Sequence, residues 1–287
     1  MTEAPDHEPV SQSNDSSTAQ PTAGKQPGLI EFDRLTIAFN EQPVLKDISL
    51  TIDRGETIAV IGESGCGKTV LMKTLLGLIH PTSGRVTFDG KDLSALPPKQ
   101  CADLRLRFGF VFQNAALFDS MTIFDNVAFP MRQSHRYAED EVSSRVMEHL
   151  HQVGLPASVA SKRPGELSGG MRKRVGIARA IILEPEVVVY DEPTTGLDPI
   201  MSDVINELMI GVRNRYPVTS VIVTHDMRTT RRVANRVLML YPRTRLKKGE
   251  PQLLFDGPPA DMETDPDSRV SQFVRGEAGT RLQELAG

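Results

Sequence analysis

The chain has 287 residues, 39% hydrophobic and 24% charged, with a net charge of −4, so it can bury a real core in one large or two modest domains. The acidic balance argues against a nucleic-acid binder that works by broad phosphate neutralisation, though not against local basic patches, and no apolar run approaches the ~18 residues of a membrane span. No basic stretch leads into a hydrophobic one near the start, so a secretory signal is not expected; Cys66 and Cys101 lack C-x-x-C spacing and read as free thiols of a reducing compartment.

Residues 1–27 are Ser, Pro, Asp, Glu, Thr and Gln-rich and are expected to form a disordered tail. Leu29 to Phe32 and Leu35 to Phe39 read as strands, Asn40 to Pro43 as a turn, and Val44 to Ile52 as another strand. Phe39, beside the turn, reads either as core packing or as a ring stacked on adenine.

The stretch from Val60 to Leu71 organises the rest. Gly62, Gly67, Lys68 and Thr69 fit G-x-x-x-x-G-K-[ST]. Glycines let backbone N–H groups crowd a phosphate chain. Lys68 is placed to reach the β- and γ-phosphates, and the Thr69 hydroxyl to ligate Mg²⁺. A short apolar run, Ile58 to Ile61, precedes the loop, and helical spacing of Val70, Leu71, Thr74, Leu75 and Leu78 follows it. Strand, glycine loop and helix in that order predict a nucleoside-triphosphate site.

Arg85 to Phe88 and Leu106 to Phe112 read as further strands, the second ending at Gln113. That amide is a loop cap or a group that ligates Mg²⁺ or positions water. Residues 114–165 hold no strand-like run; helical patterns at Ile123–Met131 and Glu139–Val153 predict a helical subdomain inserted into the sheet domain. Ser168, Gly169 and Gly170 then open a helix predicted to run to Leu183, with Ser168 as N-cap. Glycines there allow close approach of an anion, a second candidate phosphate site. Arg172, Lys173 and Arg174 add positive charge to it or form a solvated face.

Val187 to Tyr190 is an apolar run entering two carboxylates, Asp191 and Glu192, at a strand end where ligands sit in open α/β sheets. Asp191 suits Mg²⁺, and Glu192 suits polarising an attacking water. Val221 to Val223 repeats the format before Thr224, His225 and Asp226, so His225 is placed to hydrogen-bond the γ-phosphate. Val237 to Tyr241 is a last core strand, Leu253 to Gly257 a closing strand and turn, and Val270–Val274 a short helix.

Together these stretches resemble the ATP-binding subunit of ATP-binding-cassette (ABC) transporters from about Leu29 to Gly257. The P-loop, Gln113, Leu167 to Met171, Val187 to Glu192, Gly196-Leu197-Asp198 and His225 stand in that family's order and approximate spacing. The resemblance implies an α/β fold: a P-loop NTPase (RecA-like) core with an N-terminal antiparallel β subdomain and an inserted α-helical subdomain. The cassette is expected over 28–258, its helical part over about 114–183, and a C-terminal extension over 259–287.

The resemblance also implies roles. Phe39, Val44, Gly62, Glu63, Ser64, Gly65, Cys66, Gly67, Lys68, Thr69 and Val70 would bind ATP. Thr69, Gln113 and Asp191 would hold Mg²⁺. Glu192, His225, Lys68 and Gln113 would be catalytic. Ser168, Gly169, Gly170 and Met171 form the signature, which would face ATP on a second copy, and Asp198 belongs to the D-loop. One P-loop and one signature per chain agree with a head-to-tail pair that sandwiches two ATP molecules.

Met171 stands where a glutamine is commoner, and this is similar to the phospholipid and lipid-asymmetry (Mla) importers. Ser168 to Val175, Val223 to Met227 and Ser268 to Gly276 look like the same branch. That branch implies lipid movement through a membrane permease at the cytoplasmic face of the inner membrane. It leaves room for a small regulatory subunit and a lipid-binding protein. The apolar loop Leu117 to Met121 either receives a permease helix or packs internally.

Other readings are an ABC ATPase for amino acids, metals or lipoproteins, a soluble ABC ATPase of DNA repair or chromosome structure, and a P-loop kinase. The first differs only in its permease. The second needs long coiled coils or zinc modules, and the insert between Gln113 and Ser168 has neither heptads nor a cysteine cluster. A kinase has no use for the signature helix.

Overall fold

A computed structural model describes Met1 and residues 28–278; the expected N-terminal tail, apart from Met1, and the end of the C-terminal extension lie outside the described residues. In chain order the elements are β1 (Ile30–Phe39), β2 (Gln42–Ile52), β3 (Thr57–Gly62), α1 (Lys68–Leu75), β4 (Ser83–Phe88), β5 (Lys91–Asp92), α2 (Pro98–Arg105) and β6 (Phe108–Val111). There follow α3 (Ile123–Ser134), α4 (Glu139–Gln152), α5 (Gly169–Ile181), β7 (Val187–Asp191), α6 (Pro199–Arg215), β8 (Thr219–Val223), α7 (Met227–Val233), β9 (Arg236–Leu240), β10 (Leu253–Gly257) and α8 (Ser268–Arg275).

The strands form two sheets. One is antiparallel, in the order β2-β1-β4-β5. Its strands alternate, burying Ile30, Phe32, Leu35 and Ile37 on one face of β1, as expected where one side meets a core. The two short strands expected at the start are one strand, β1, with irregular register past Phe32 that lets it bend without breaking. The antiparallel layer is also not confined to the N-terminal strands. β1 is central in it, and β4, from beyond the P-loop helix, pairs with its second edge.

The other sheet has the order β10-β9-β3-β8-β7-β6. β9, β3, β8, β7 and β6 are parallel, and β10 closes the edge antiparallel to β9. All residues of β3 and β8 are buried, which explains their unbroken apolar runs in place of alternation. Phe32, Leu50 and Ile58 share one core with Leu71 and Leu75 of α1, so the two sheets sandwich the P-loop helix.

The helices α3, α4 and α5 pack around Val127, Met131, Val146, Leu150, Val175 and Ala178. The same core continues to Val188 and Tyr190 of β7, so α5 serves both the helical insert and the sheet. It ends at Ile181, short of Leu183, because Glu184 donates its N–H to the Ile181 carbonyl in a turn. Likewise β6 is shorter than Leu106 to Phe112. Arg107 N–H closes a turn onto Leu104 O, and Ala115 N–H closes another onto Phe112 O. α3 and α4 fall where the periodicity predicts them.

Candidate active site

In the parallel sheet, β3, β8, β7 and β6 are adjacent and run the same way. The P-loop follows β3, His225 lies just after β8, Asp191 ends β7 with Glu192 next, and Gln113 lies just after β6. One sheet edge therefore collects groups spread over more than half of the sequence, at the strand ends where open α/β sheets bind ligands.

The P-loop needs its glycines for space. A Cβ on Gly62 would lie 2.2 Å from the Leu240 carbonyl oxygen, and one on Gly67 would lie 2.6 Å from Leu45 Cδ2. Both glycines also have positive φ, 140° and 105°. Val44 and Leu45 thus press against the loop from β2. Lys68 curls back over it, donating from Nζ to Gly62 O at 2.7 Å and Glu63 O at 3.0 Å. Phosphate oxygens arriving in the loop would compete with these carbonyls for the ammonium. Cys66 is buried behind the loop, and burial raises its thiol pKa.

Glu192 and His225 meet. Nδ1 of His225 lies 2.9 Å from the Glu192 carboxylate. The Thr195 and Thr224 hydroxyls donate to the same carboxylate at 3.1 and 3.4 Å. Glu192 has φ 47°, a region that non-glycine residues seldom occupy. Its N–H is held by the Val223 carbonyl at 2.8 Å. Desolvation, then the neighbouring Glu192 charge, raise the Asp191 pKa, with Lys73 and Lys68 opposing. A carboxylate in that condition gains from a cation.

Gly62, Glu63, Ser64, Lys68, Glu192 and His225 border one cavity of about 770 Å³. Tyr241, Arg245, Arg269 and α8 wall its far side. Arg245 donates to both Glu63 carboxylate oxygens at 2.8 Å, and Arg245 and Arg269 each sit 5.0 Å from the Tyr241 ring centroid. Arg269 is thus linked, through the Tyr241 ring and Arg245, to the second residue of the P-loop.

Thr69, Gln113 and Asp191 offer a hydroxyl, an amide and a carboxylate, a hard oxygen set that suits Mg²⁺ better than a soft metal. Among the described residues no cluster of three His, Cys, Asp or Glu side chains could hold a metal. An ion here would have the single carboxylate of Asp191 and would rely otherwise on neutral oxygens and on phosphates of a nucleotide, as Mg²⁺ sites commonly do.

Other expected site residues do not border that cavity. Phe39 is 47% exposed and Val44 half-buried, so Phe39 is not core packing. Ser168 and Gly169 are exposed and do not border the cavity that holds Lys68 and Glu192. Ser168 does cap α5, its Oγ accepting from Met171 N–H at 3.3 Å. A Cβ on Gly170 would meet Met201 Cε at 2.7 Å. Asp198 caps α6, accepting from Ile200 and Met201 N–H at 2.9 and 3.0 Å.

The basic triplet is neither an open anion patch nor a solvated face. Arg172 donates to Leu167 O at 2.5 Å, Lys173 to Glu192 O at 3.2 Å, and Arg174 to Gly154 O at 2.9 Å. Carbonyl oxygens take up all three.

Known proteins bear on this geometry. The family profile described as ABC transporter matches residues 45–195. The chain belongs to the ABC transporter family.

Among its relatives is the intermembrane phospholipid transport system ATP-binding protein MlaF of Escherichia coli K12. It is 36% identical over 87% of this chain and 90% of that protein. A probable ribonucleotide transport ATP-binding protein of Mycobacterium tuberculosis is 38% identical over 86% of this chain. The match spans 66% of that longer protein, just under two thirds. A dimeric ATP-binding cassette solved in a post-hydrolysis state with ADP and Pi superposes with a TM-score of 0.68 at 30% identity, over 75% of this chain and 96% of that one.

Two residues that position the site carry no sequence signal. Gln252, 3% exposed, donates from Nε2 to Cys66 O at 3.0 Å and Val44 O at 2.8 Å, and accepts from Lys46 N–H at 3.0 Å. It fastens the P-loop to β2. Arg179, also buried, donates to the carbonyls of Ala115 and Ala116 at 2.7 and 2.9 Å, bracing the turn beyond Gln113.

Proposed function

We propose that this chain is the ATP-hydrolysing subunit of a transporter that moves phospholipid through a membrane permease. The observation that carries the reading is the split of the site. Lys68, Glu192 and His225 border one cavity, while Ser168 and Gly169 stand outside it, exposed. A second copy would supply the missing wall, its Ser168 to Gly170 turn meeting the γ-phosphate. The dimeric cassette with ADP and Pi supports that arrangement.

ATP would lie along the P-loop, from Gly62 to Val70, with Phe39 and Val44 at its base. Lys68 would leave the Gly62 and Glu63 carbonyls for the β- and γ-phosphates. Glu192, steadied by Thr195, Thr224 and His225, would orient water for in-line attack, and His225 would face the γ-phosphate. Thr69, Gln113 and Asp191 would hold Mg²⁺, which would supply neutralisation of phosphate charge.

The permease reading is supported by the names of the relatives and by an apolar groove of about 410 Å³. Phe108, Phe110, Phe112, Phe118, Phe129 and Leu183 line it, between β6 and the helical insert. Phe112 and Phe118 are 44% and 40% exposed, and a short apolar permease helix fits their chemistry. Among the described residues no helix is long and apolar enough to cross a membrane. The chain would therefore work at the cytoplasmic face of the inner membrane through that partner, with a regulatory subunit and a lipid-binding protein as further members. MlaF relatives favour phospholipid as cargo.

The test is co-purification of the permease from membranes and its reconstitution with this chain in liposomes that contain a fluorescent phospholipid. ATP-dependent movement of that lipid is expected. Movement that is unchanged without ATP, or with Lys68→Ala, would sink the reading.

A further inference from the structure

Lys173 lies on α5, just after the Ser168 to Gly170 turn, and is only 6% exposed. A buried ammonium is costly unless it has a partner. Desolvation lowers its pKa to about 8, with the Glu192 charge opposing. Its partner is the main-chain oxygen of Glu192 at 3.2 Å, which also accepts from Thr195 N–H at 3.3 Å. The other main-chain group of Glu192, its N–H, is held by β8 through Val223 O.

Glu192 therefore sits in a left-handed conformation with its backbone pinned from two directions. One pin belongs to β8, inside the sheet. The other is a long side chain on the helix that carries the signature turn. A residue at φ 47° has competing conformations close in energy. Releasing one pin lets the carboxylate leave the position set by Thr195, Thr224 and His225.

We propose that Lys173 is a positioning residue for hydrolysis: it ties the helix that serves the partner's ATP to the carboxylate that acts on this chain's own ATP. The assignment rests on the reading above of Glu192 and of the Ser168 to Gly170 turn. Docking of the turn onto the partner's nucleotide fixes α5. Through Lys173 it fixes the Glu192 backbone as well, so neither site matures alone.

The test compares Lys173→Met and Glu192→Gln with the unaltered full-length chain. Lys173→Met keeps the length of the side chain and removes the donor. Affinity for a fluorescent ATP analogue should stay within about twofold, and kcat should fall roughly 10- to 100-fold, the worth of one charged hydrogen bond. With ATP and Mg²⁺ the variant should accumulate as a dimer on size exclusion, because docking proceeds and turnover does not. Hydrolysis by Lys173→Met at the unaltered rate, while Glu192→Gln stalls, would overturn the proposal and leave the reading of Glu192 standing. Loss of nucleotide binding and of the dimer together with the rate would make Lys173 a mere packing element, and would also overturn it. Normal hydrolysis by Glu192→Gln would bring down the reading beneath.

Discussion

His225 and Glu192 stand 2.9 Å apart, Nδ1 to carboxylate, though 33 positions separate them along the chain. Parallel pairing of β7 with β8 makes the contact, since Asp191 is in register with Val223 and each functional residue follows its strand. Glu192→Gln keeps the shape and most of the hydrogen bonds but removes the charge proposed to polarise water. ATP should still bind and turnover should stall, leaving a long-lived dimer visible on size exclusion. Hydrolysis at the normal rate would refute the role given to Glu192.

His225→Ala removes one support of the carboxylate and the group proposed to face the γ-phosphate. A fall in kcat on the order of 10²-fold is expected, the usual scale for a transition-state donor. Steady-state rates at saturating ATP measure it, and a change in KM alone would contradict the assignment.

Lys68→Ala takes away the ammonium that covers Gly62 O and Glu63 O. Nucleotide affinity should drop and hydrolysis should stop. Equilibrium binding of a fluorescent nucleotide decides it, and retained affinity would place the phosphates elsewhere.

Ser168→Arg changes an exposed turn outside the chain's own cavity. The isolated subunit should bind nucleotide as before while hydrolysis disappears. Equal loss of binding would argue against a site shared between copies.

Gln252→Leu leaves the Cys66 and Val44 carbonyls without their amide donor. Stability should fall by about 1–3 kcal/mol for each buried group left unpaired, read as a lower thermal midpoint. The KM for ATP should rise with it. An unchanged KM would mean that the clasp holds β2 without shaping the phosphate loop.

Lys173 gives a pH dependence. Its pKa is about 8 in the folded protein and near the ordinary lysine value of about 10.4 when unfolded. Between these values the unfolded chain binds more protons, so this group's contribution to stability rises as pH rises through that window. Below about pH 8 the cost of burying the charge is present in full. The difference in thermal midpoint, unaltered chain minus Lys173→Met, should grow from pH 7.5 to 9.5. A flat difference would mean that the lysine is not buried.

Much of this was legible before any coordinates. The P-loop and the strand ends at Asp191, Glu192 and His225 are short, chemically constrained stretches, and the sheet places them at one edge as expected. Long buried strands such as β3 and β8 announce themselves through unbroken apolar runs. The paired edges of β1 were less visible, because which strands share a sheet depends on long-range pairing and not on local pattern. Arg172, Lys173 and Arg174 looked alike, yet each donates to a different carbonyl, and only the tertiary structure brings those carbonyls near. Gln252 was illegible for a related reason. A single amide ahead of a strand has no periodicity, and its partners lie in another part of the sequence.

The amide of Gln252 reaches the P-loop carbonyl of Cys66 across 186 positions of sequence. During synthesis Lys68 and the P-loop glycines leave the ribosome long before the side chain that fastens them. A nascent chain that stops at β9 presents every motif of the cassette and still has no secured cradle.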